Sequence, residues 1–131
     1  MRRLYKEVLR RFPEVKALVH RGDEELPYVV VGYVVDWLRT VAKPALDASV
    51  IQRVVDFDNW CIERPPGRTA ADDIMTIEIV ALREKLFRYD ELLLLIPHLM
   101  PRDELLMNRD YLVAWVGKDR YEAALRLVDR K

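Results

Sequence analysis

The sequence predicts an all-α protein, a compact bundle or short α-solenoid of about six to eight short helices in antiparallel pairs. Apolar residues recur at helical spacing along most of the chain. Glycine is scarce, with four residues among 131, and seven prolines stand where helices would begin or end. A chain of this length is expected to form one domain, residues 1–131, with its own core.

The first helix is predicted from residue 2 onward, because Leu4, Val8 and Phe12 repeat every four residues. Pro13 suits the first turn of a second short helix, since proline lacks the N–H that this position leaves unpaired anyway. The polar stretch RGDEEL at residues 21–26 is expected to be a loop.

The valine-rich stretch PYVVVGYVVDWL at residues 27–38 allows two interpretations, a buried strand or a helix. A strand would lack a partner for its backbone groups. Helical spacing is kept by Val30, Val34, Trp37, Leu38 and Val41. The stretch is therefore predicted to be a central buried helix, begun by Pro27 and ended near Lys43-Pro44. Gly32 is expected to let a neighbouring helix approach closely.

Capping signals mark the next two helices. Ser49 and Gln52 have the spacing of a capping box, and Asp47 is an alternative N-cap for the same helix. That helix should stop at the PPG sequence of residues 65–67. Thr69 and Asp72 form a second predicted capping box, opening a helix that continues to residue 86 or beyond.

The remaining residues predict further short helices. Asp90 is the expected cap of ELLLLIPHLM, in which Pro97 would kink or end the helix. Pro101 would open the next helix and Gly117 would close it. Asp119 is the predicted cap of the final helix.

Composition limits the compartment and the partners. A single cysteine, Cys61, excludes an intrachain disulfide and fits a reducing compartment. The charged N-terminus does not resemble a secretory signal, and the apolar run at residues 92–96 is too short to span a bilayer. A net charge of zero argues against general nucleic-acid binding. We therefore expect a soluble cytoplasmic protein with no nucleic-acid or membrane partner.

Residue types that carry catalysis do not form a recognisable constellation. His20 and His98 are the only histidines of the sequence. His98 has no second metal ligand at helical spacing, and His20 lies near a predicted helix C-terminus, where a cation is mildly favoured. Asp56 and Asp58 in DFDNW would point about 200° apart on a helix, so they could not share a metal directly. Cys61 lies on an apolar stripe, which is typical of a structural thiol. We expect no enzyme activity, no cofactor and no metal.

The middle of the chain is acidic. Residues 46–82 carry seven acidic and three basic side chains, whereas residues 1–21 carry two acidic and seven basic ones. A solvated face would explain this pattern, and so would a contact surface for a basic protein partner. For the second interpretation, the predicted contact residues are Asp56, Asp58, Glu63, Asp72 and Asp73.

Several short motifs resemble a family of small all-helical bacterial domains of unknown function. They are FPE at residues 12–14, LPYV at residues 26–29, Gly32, and WL at residues 37–38, followed by VIQRVVDFDNW in the register of that family's next helix. The resemblance covers roughly residues 1–65. Members of such families often neighbour polymorphic-toxin genes, which implies an immunity role, and no catalytic residues are implied.

The favoured function is a protein-binding domain, specifically an immunity protein that binds and occludes a basic toxin domain. An alternative is a helical adaptor, a regulatory subunit or a homodimeric interaction module. An exposed patch of Tyr111, Trp115 and Tyr121 would favour this alternative. A small metal-dependent enzyme that uses helix carboxylates is the third, less favoured hypothesis.

Overall fold

The all-α prediction is confirmed. The computed structural model describes residues 2–43, 45–69 and 72–130, and no strand occurs in these ranges. The α-helical segments are α1 (Arg2–Arg11), α2 (Pro27–Val41), α3 (Ala48–Ile62), α4 (Ile74–Glu78), α5 (Glu84–Leu86), α6 (Asp90–Leu93), α7 (Ile96–Leu99), α8 (Arg102–Met107), α9 (Arg109–Val116) and α10 (Lys118–Asp129). Short 3₁₀ turns at Pro13–Ala17 and Asp23–Glu25 precede α2, and a π-helical turn at Ile79–Arg83 joins α4 to α5.

The valine-rich segment is the central helix of the fold, as predicted. Pro27 occupies the start of α2, and the apolar stripe of this helix is buried, including Val30, Val34 and Leu38. The helix contacts α1, α4, the π-helical turn and α6. These contacts join parts of the chain that are far apart in sequence, which is typical of a bundle rather than of a linear solenoid. Buried side chains from α1 to α10 belong to one core cluster.

An aromatic group joins the first three helices. The Phe12 ring lies 5.8 Å from the Trp37 ring and 5.6 Å from the Phe57 ring, measured between centroids. The guanidinium of Arg53 lies over Phe12 and Trp37 and donates hydrogen bonds to the Arg11 carbonyl at 2.8 and 3.0 Å. This arrangement closes the core at the end of α1.

The structure decides between the two predicted caps of α3. Asp47 is the N-cap, and its carboxylate accepts a hydrogen bond from the Ser49 amide at 3.4 Å. The predicted capping box of Ser49 and Gln52 is wrong, because Ser49 lies inside the helix. The predicted end at Pro44 lies outside the described residues, and α2 ends at Val41.

Thr69 and Asp72 form a turn rather than the start of a helix, so that capping prediction is also wrong. The Asp72 carboxylate accepts from the Thr69 amide at 2.7 Å and from its hydroxyl at 3.2 Å. Residues 70 and 71 lie outside the described residues. Helix α4 begins later, at Ile74, with Asp73 before it. A Cβ added to Gly67 would lie 2.5 Å from the Asp72 carbonyl oxygen, so this turn requires glycine at position 67.

In the C-terminal half, some of the predicted helix boundaries are confirmed, whereas the predicted side-chain caps are not found. Gly117 ends α9 with a positive φ of 95°, as its position predicted. Pro97 stands in the first turn of α7, where the chain restarts after α6. Asp90 and Asp119 lie in the first turns of α6 and α10 and do not cap them through a side-chain hydrogen bond. Among the described residues, no helix is both long and apolar enough to cross a bilayer.

Candidate functional site

The predicted acidic contact residues do not all lie on the surface. Asp56, Glu63 and Asp72 are exposed, whereas Asp73 is half-buried. Asp58 is 3% exposed and belongs to the core. The structure therefore leaves Asp58 out of any surface that the other acidic residues could offer, and it places this residue in a buried ionic network.

Asp73 stabilises the local structure at the start of α4. Its carboxylate accepts hydrogen bonds from the Thr76 hydroxyl at 2.5 Å and from the Gly67 amide at 3.2 Å. These two bonds, that from Thr76 first, lower the pKa of Asp73 below its ordinary value. Asp73 thus holds the PPG loop against the first turn of α4.

The centre of the buried network is Arg83, the last residue of the π-helical turn. Its Nε and Nη2 donate to the two carboxylate oxygens of Asp58 at 2.8 and 2.9 Å, and its Nη1 donates to Glu104 Oε1 at 2.9 Å. Burial disfavours the charged guanidinium, but the hydrogen bond and the charge of Asp58 raise the pKa of Arg83 above its ordinary value. The bidentate pair joins α3 to the π-helical turn.

Glu78 adds a second buried carboxyl group to this network. Its Oε1 lies 3.8 Å from Arg83 Nε, and neither of its oxygens accepts a hydrogen bond from the described residues. Burial raises the pKa of Glu78 well above its ordinary value, and so does the neighbouring Asp58 carboxylate. A proton kept on Glu78 would supply a donor that can turn to Asp58.

The π-helical turn is what brings these groups inward. Residues 81–84 are four consecutive buried positions, including Arg83 and Glu84. In a regular α-helix at the edge of a core, some residues of such a run would face solvent. A π-helical turn contains about one extra residue, so more consecutive residues can face the core. Turns of this kind are frequent at functional sites.

A cavity of about 320 Å³ opens beside the π-helical turn. Its wall combines apolar and polar side chains from α4, the π-helical turn, α5, α8 and α9. The lining residues are Thr76, Ile79, Val80, Arg83, Glu84, Met100, Glu104, Asn108, Tyr111 and Leu112. Polar groups that converge in a cavity of this size are typical of a binding site.

Tyr111 forms one wall of the cavity. Its hydroxyl donates a hydrogen bond to Glu84 Oε2 at 2.5 Å, which connects α9 to α5. Burial of this end of the side chain raises the pKa of Tyr111 to about 12, together with the hydrogen bond and the charge of Glu84. The tyrosine therefore stays a neutral hydrogen-bond donor through the physiological range.

An exposed group of large side chains, here called the aromatic surface, lies next to the cavity and consists of Met107, Tyr111 and Trp115. Trp115 is 63% exposed and Tyr111 is 42% exposed, and their ring centroids are 6.0 Å apart. Met107, four residues before Tyr111, is 84% exposed. Tyr121, which sequence analysis grouped with these rings, is buried instead and donates its hydroxyl to the Leu105 carbonyl at 2.8 Å.

Arg83, Glu84 and Glu104 were not among the site residues predicted from the sequence. A signal was present, because Arg83 and Glu84 interrupt the apolar stripe of residues 74–86 at positions that a long buried helix would fill with apolar side chains. Partners could not be assigned, since Asp58 and Glu104 lie 25 and 21 residues away along the chain.

Two observations concern metal ligands and the thiol in the described part of the chain. No group of three or more His, Cys, Asp and Glu side chains in the described part of the chain is placed to hold a metal ion. Cys61 is buried, and burial raises the pKa of its thiol. A thiol in this state is a poor nucleophile.

No family model matches the chain, and no curated protein and no solved structure matches it either. The resemblance of residues 1–65 to small helical bacterial domains stays a prediction.

Proposed function

We propose that this chain is a cytoplasmic protein-binding domain that contacts its partner through the aromatic surface. The observation that carries the proposal is the exposed pair Tyr111 and Trp115, whose rings are in tilted contact and of which Tyr111 lines a cavity. Large aromatic side chains exposed together are unfavourable in water, and tyrosine and tryptophan dominate the binding energy of many protein interfaces.

The ionisable groups beside this surface suit binding better than catalysis. Arg83 is engaged by Asp58 and Glu104, and Tyr111 is engaged by Glu84. A general acid or base must reach its substrate with a proton that it can exchange near neutral pH. The raised pKa of Tyr111 is unfavourable for such a role.

Photo-crosslinking in the native cell tests the proposal. A crosslinking amino acid at position 115 should yield a specific product, whereas the same group at position 94 should not, although Leu94 is also 55% exposed. In a pulldown, Trp115→Ala should lower partner recovery by roughly tenfold or more, the effect of losing an interface hot spot. Leu94→Ala should leave recovery unchanged.

Both variants should unfold at the wild-type denaturant concentration, because each removes an exposed side chain. A product that contains two copies of this chain would identify the homodimeric alternative. Equal recovery with Trp115→Ala and with Leu94→Ala would overturn the proposal.

A second candidate function is an immunity protein that occludes a basic toxin domain. The observation in its favour is the exposure of Asp56, Glu63 and Asp72 on and after α3, where they could meet basic side chains around a toxin's cleft. The test is co-expression with the gene immediately upstream, scored by growth. Rescue that is lost on reversing the charge of Asp56 or Asp72 would support this function. A neighbour that is harmless, or that kills regardless, would contradict it.

A further inference from the structure

We propose that the cavity beneath Tyr111 receives a basic side chain, arginine or lysine, from the partner protein. This inference rests on the proposed protein-binding function and specifies the chemistry of the partner. Three features carry it: the charges of the wall, the hydrogen-bonding groups that the wall leaves available, and the apolar and aromatic surfaces around them.

The charges of the cavity and of the network behind it do not balance. Arg83 is the cation of this network, and it is shared by the carboxylates of Asp58 and Glu104. Glu84 adds a further carboxylate to the wall, and among the described residues it accepts a hydrogen bond from the neutral hydroxyl of Tyr111. The described residues of the network and the wall therefore carry three negative carboxylates and one positive guanidinium, even when Glu78 is neutral. The resulting field favours a cation in the cavity.

The polar groups of the wall offer acceptors. Among the described residues, Glu104 uses Oε1 for Arg83 and Glu84 uses Oε2 for Tyr111, which leaves the second oxygen of each carboxylate for a donor from the partner. Asn108 donates its side-chain amide to the Glu104 carbonyl, which leaves its own oxygen as a further acceptor. Guanidinium and ammonium groups carry several donors and no acceptor, which complements this wall.

The rest of the wall suits the remainder of a long basic side chain. Ile79, Val80 and Leu112 give an apolar lining against which the methylene stem of lysine or arginine can pack. The ring of Tyr111 lies at the same wall, next to Trp115, and a cation over such a ring is attracted by its π-electrons. An anionic partner group would instead meet Glu84 and Glu104, with four of the five N–H donors of Arg83 engaged by Asp58, Glu104 and the Leu99 carbonyl.

A titration of the full chain with a model side chain tests this inference. The probe is N-acetyl-arginine amide, and the control is N-acetyl-citrulline amide, which has nearly the same shape but no charge. NMR signals of Asn108, Tyr111 and Trp115 should shift saturably with the arginine probe. The citrulline control should bind at least about tenfold more weakly, because it lacks the charge-assisted hydrogen bonds. This comparison uses the wild-type chain, so it does not depend on the folding of any variant.

Matched variants locate the site. Glu84→Gln should weaken binding of the arginine probe by about tenfold, because it removes a carboxylate of the wall. Asp110→Asn removes the same charge from an exposed position of α9 that does not line the cavity. Its effect should be less than about twofold, since exposed charges are screened.

Equal binding of arginine and citrulline probes, or equal effects of the two variants, would overturn the inference. The outcome is separable from that of the proposed function. A failed titration together with Trp115-dependent partner recovery would refute the basic side chain alone. A successful titration without any Trp115-dependent partner would keep the cation preference of the cavity and refute protein binding.

Discussion

Glu78 and Asp58 place two carboxyl groups beside the single guanidinium of Arg83 in the interior of the protein. An ionised carboxylate is costly to bury without hydrogen-bond donors, and Glu78 has none for its oxygens among the described residues. The neutral acid removes this cost and can donate to Asp58. The protonation of Glu78 is therefore coupled to the stability of the fold.

The raised pKa of Glu78 sets the direction of this coupling. The unfolded chain releases the proton near the ordinary value of 4.5, whereas the native chain holds it to higher pH. The stabilising contribution is complete below 4.5 and is lost as pH rises towards the native pKa. Within this window, Glu78 should lower the free energy of unfolding by roughly 1.4 kcal/mol per pH unit.

The variant Glu78→Gln should remove this dependence, because glutamine resembles the protonated acid and can donate to Asp58. Urea unfolding of both proteins at a series of pH values above 4.5 measures the effect. We expect the variant to become increasingly more stable than the wild type as pH rises, and the two to converge at acidic pH. A constant difference across the series would mean that Glu78 does not bind a proton in the native state.

Asp58 and Asp56 offer a matched comparison within α3. Asp58→Asn should lower the free energy of unfolding by about 3 kcal/mol, because it leaves the buried Arg83 without its bidentate partner. Asp56→Asn should change it by less than about 0.5 kcal/mol, since Asp56 is exposed and, within the described part of the chain, accepts a hydrogen bond from Gln52 on the same helix alone. Chemical denaturation measures both. Similar effects of the two substitutions would contradict the buried network.

At the scale of elements, α2 shows why packing outweighs intrinsic preference. Its six valines lower helix propensity by a few tenths of a kcal/mol each. Burial of a single valine side chain contributes about 1.5 kcal/mol or more, and Val30, Val31, Val34 and Val35 are buried. The spacing of the apolar stripe predicted this helix correctly for the same reason, because spacing reports which face can be buried.

The glycines of two elements lead to opposite predictions. The expected close approach of a helix at Gly32 is wrong, since a Cβ at this position would meet, outside the backbone of α2 and among the residues that the structure describes, only Lys85 Nζ at 3.5 Å. Gly32→Ala should therefore raise the free energy of unfolding by roughly 0.5–1 kcal/mol through helix propensity. Gly67→Ala should lower it by about 1–3 kcal/mol, because its Cβ would collide with the Asp72 backbone.

Thermal and urea unfolding of the two glycine variants provide the measurement, and each serves as the control for the other. A loss of stability in Gly32→Ala would mean that α2 is packed more tightly against its neighbour than the 3.5 Å contact indicates. An unchanged Gly67→Ala would mean that the turn at Thr69 and Asp72 can move without loss.

At the scale of the molecule, the helical class, the central helix and most helix ends could be predicted, because they depend on spacing, proline and glycine within a few residues. The residues that cap the helices were harder to predict. Several residues have side chains of the right chemistry, and the local backbone geometry decides which of them caps a helix; these residues are Asp47, Ser49, Thr69 and Asp90. The burial of Asp58 and Tyr121 could not be predicted from the sequence, because it depends on hydrogen-bond partners that are distant along the chain. The aromatic surface could not be predicted either, because it depends on how α8 and α9 pack against the rest of the protein.

The π-helical turn at Ile79–Arg83 also has a consequence for comparing this chain with others. A turn of this kind corresponds to one inserted residue, which shifts the phase of every following position of the helix by roughly 100°. A related chain without the insertion would point the residue aligned with Arg83 in a different direction. An ungapped alignment through residues 79–83 would then pair interior positions with surface positions. The gap would have to fall inside a helix, where alignments normally place none.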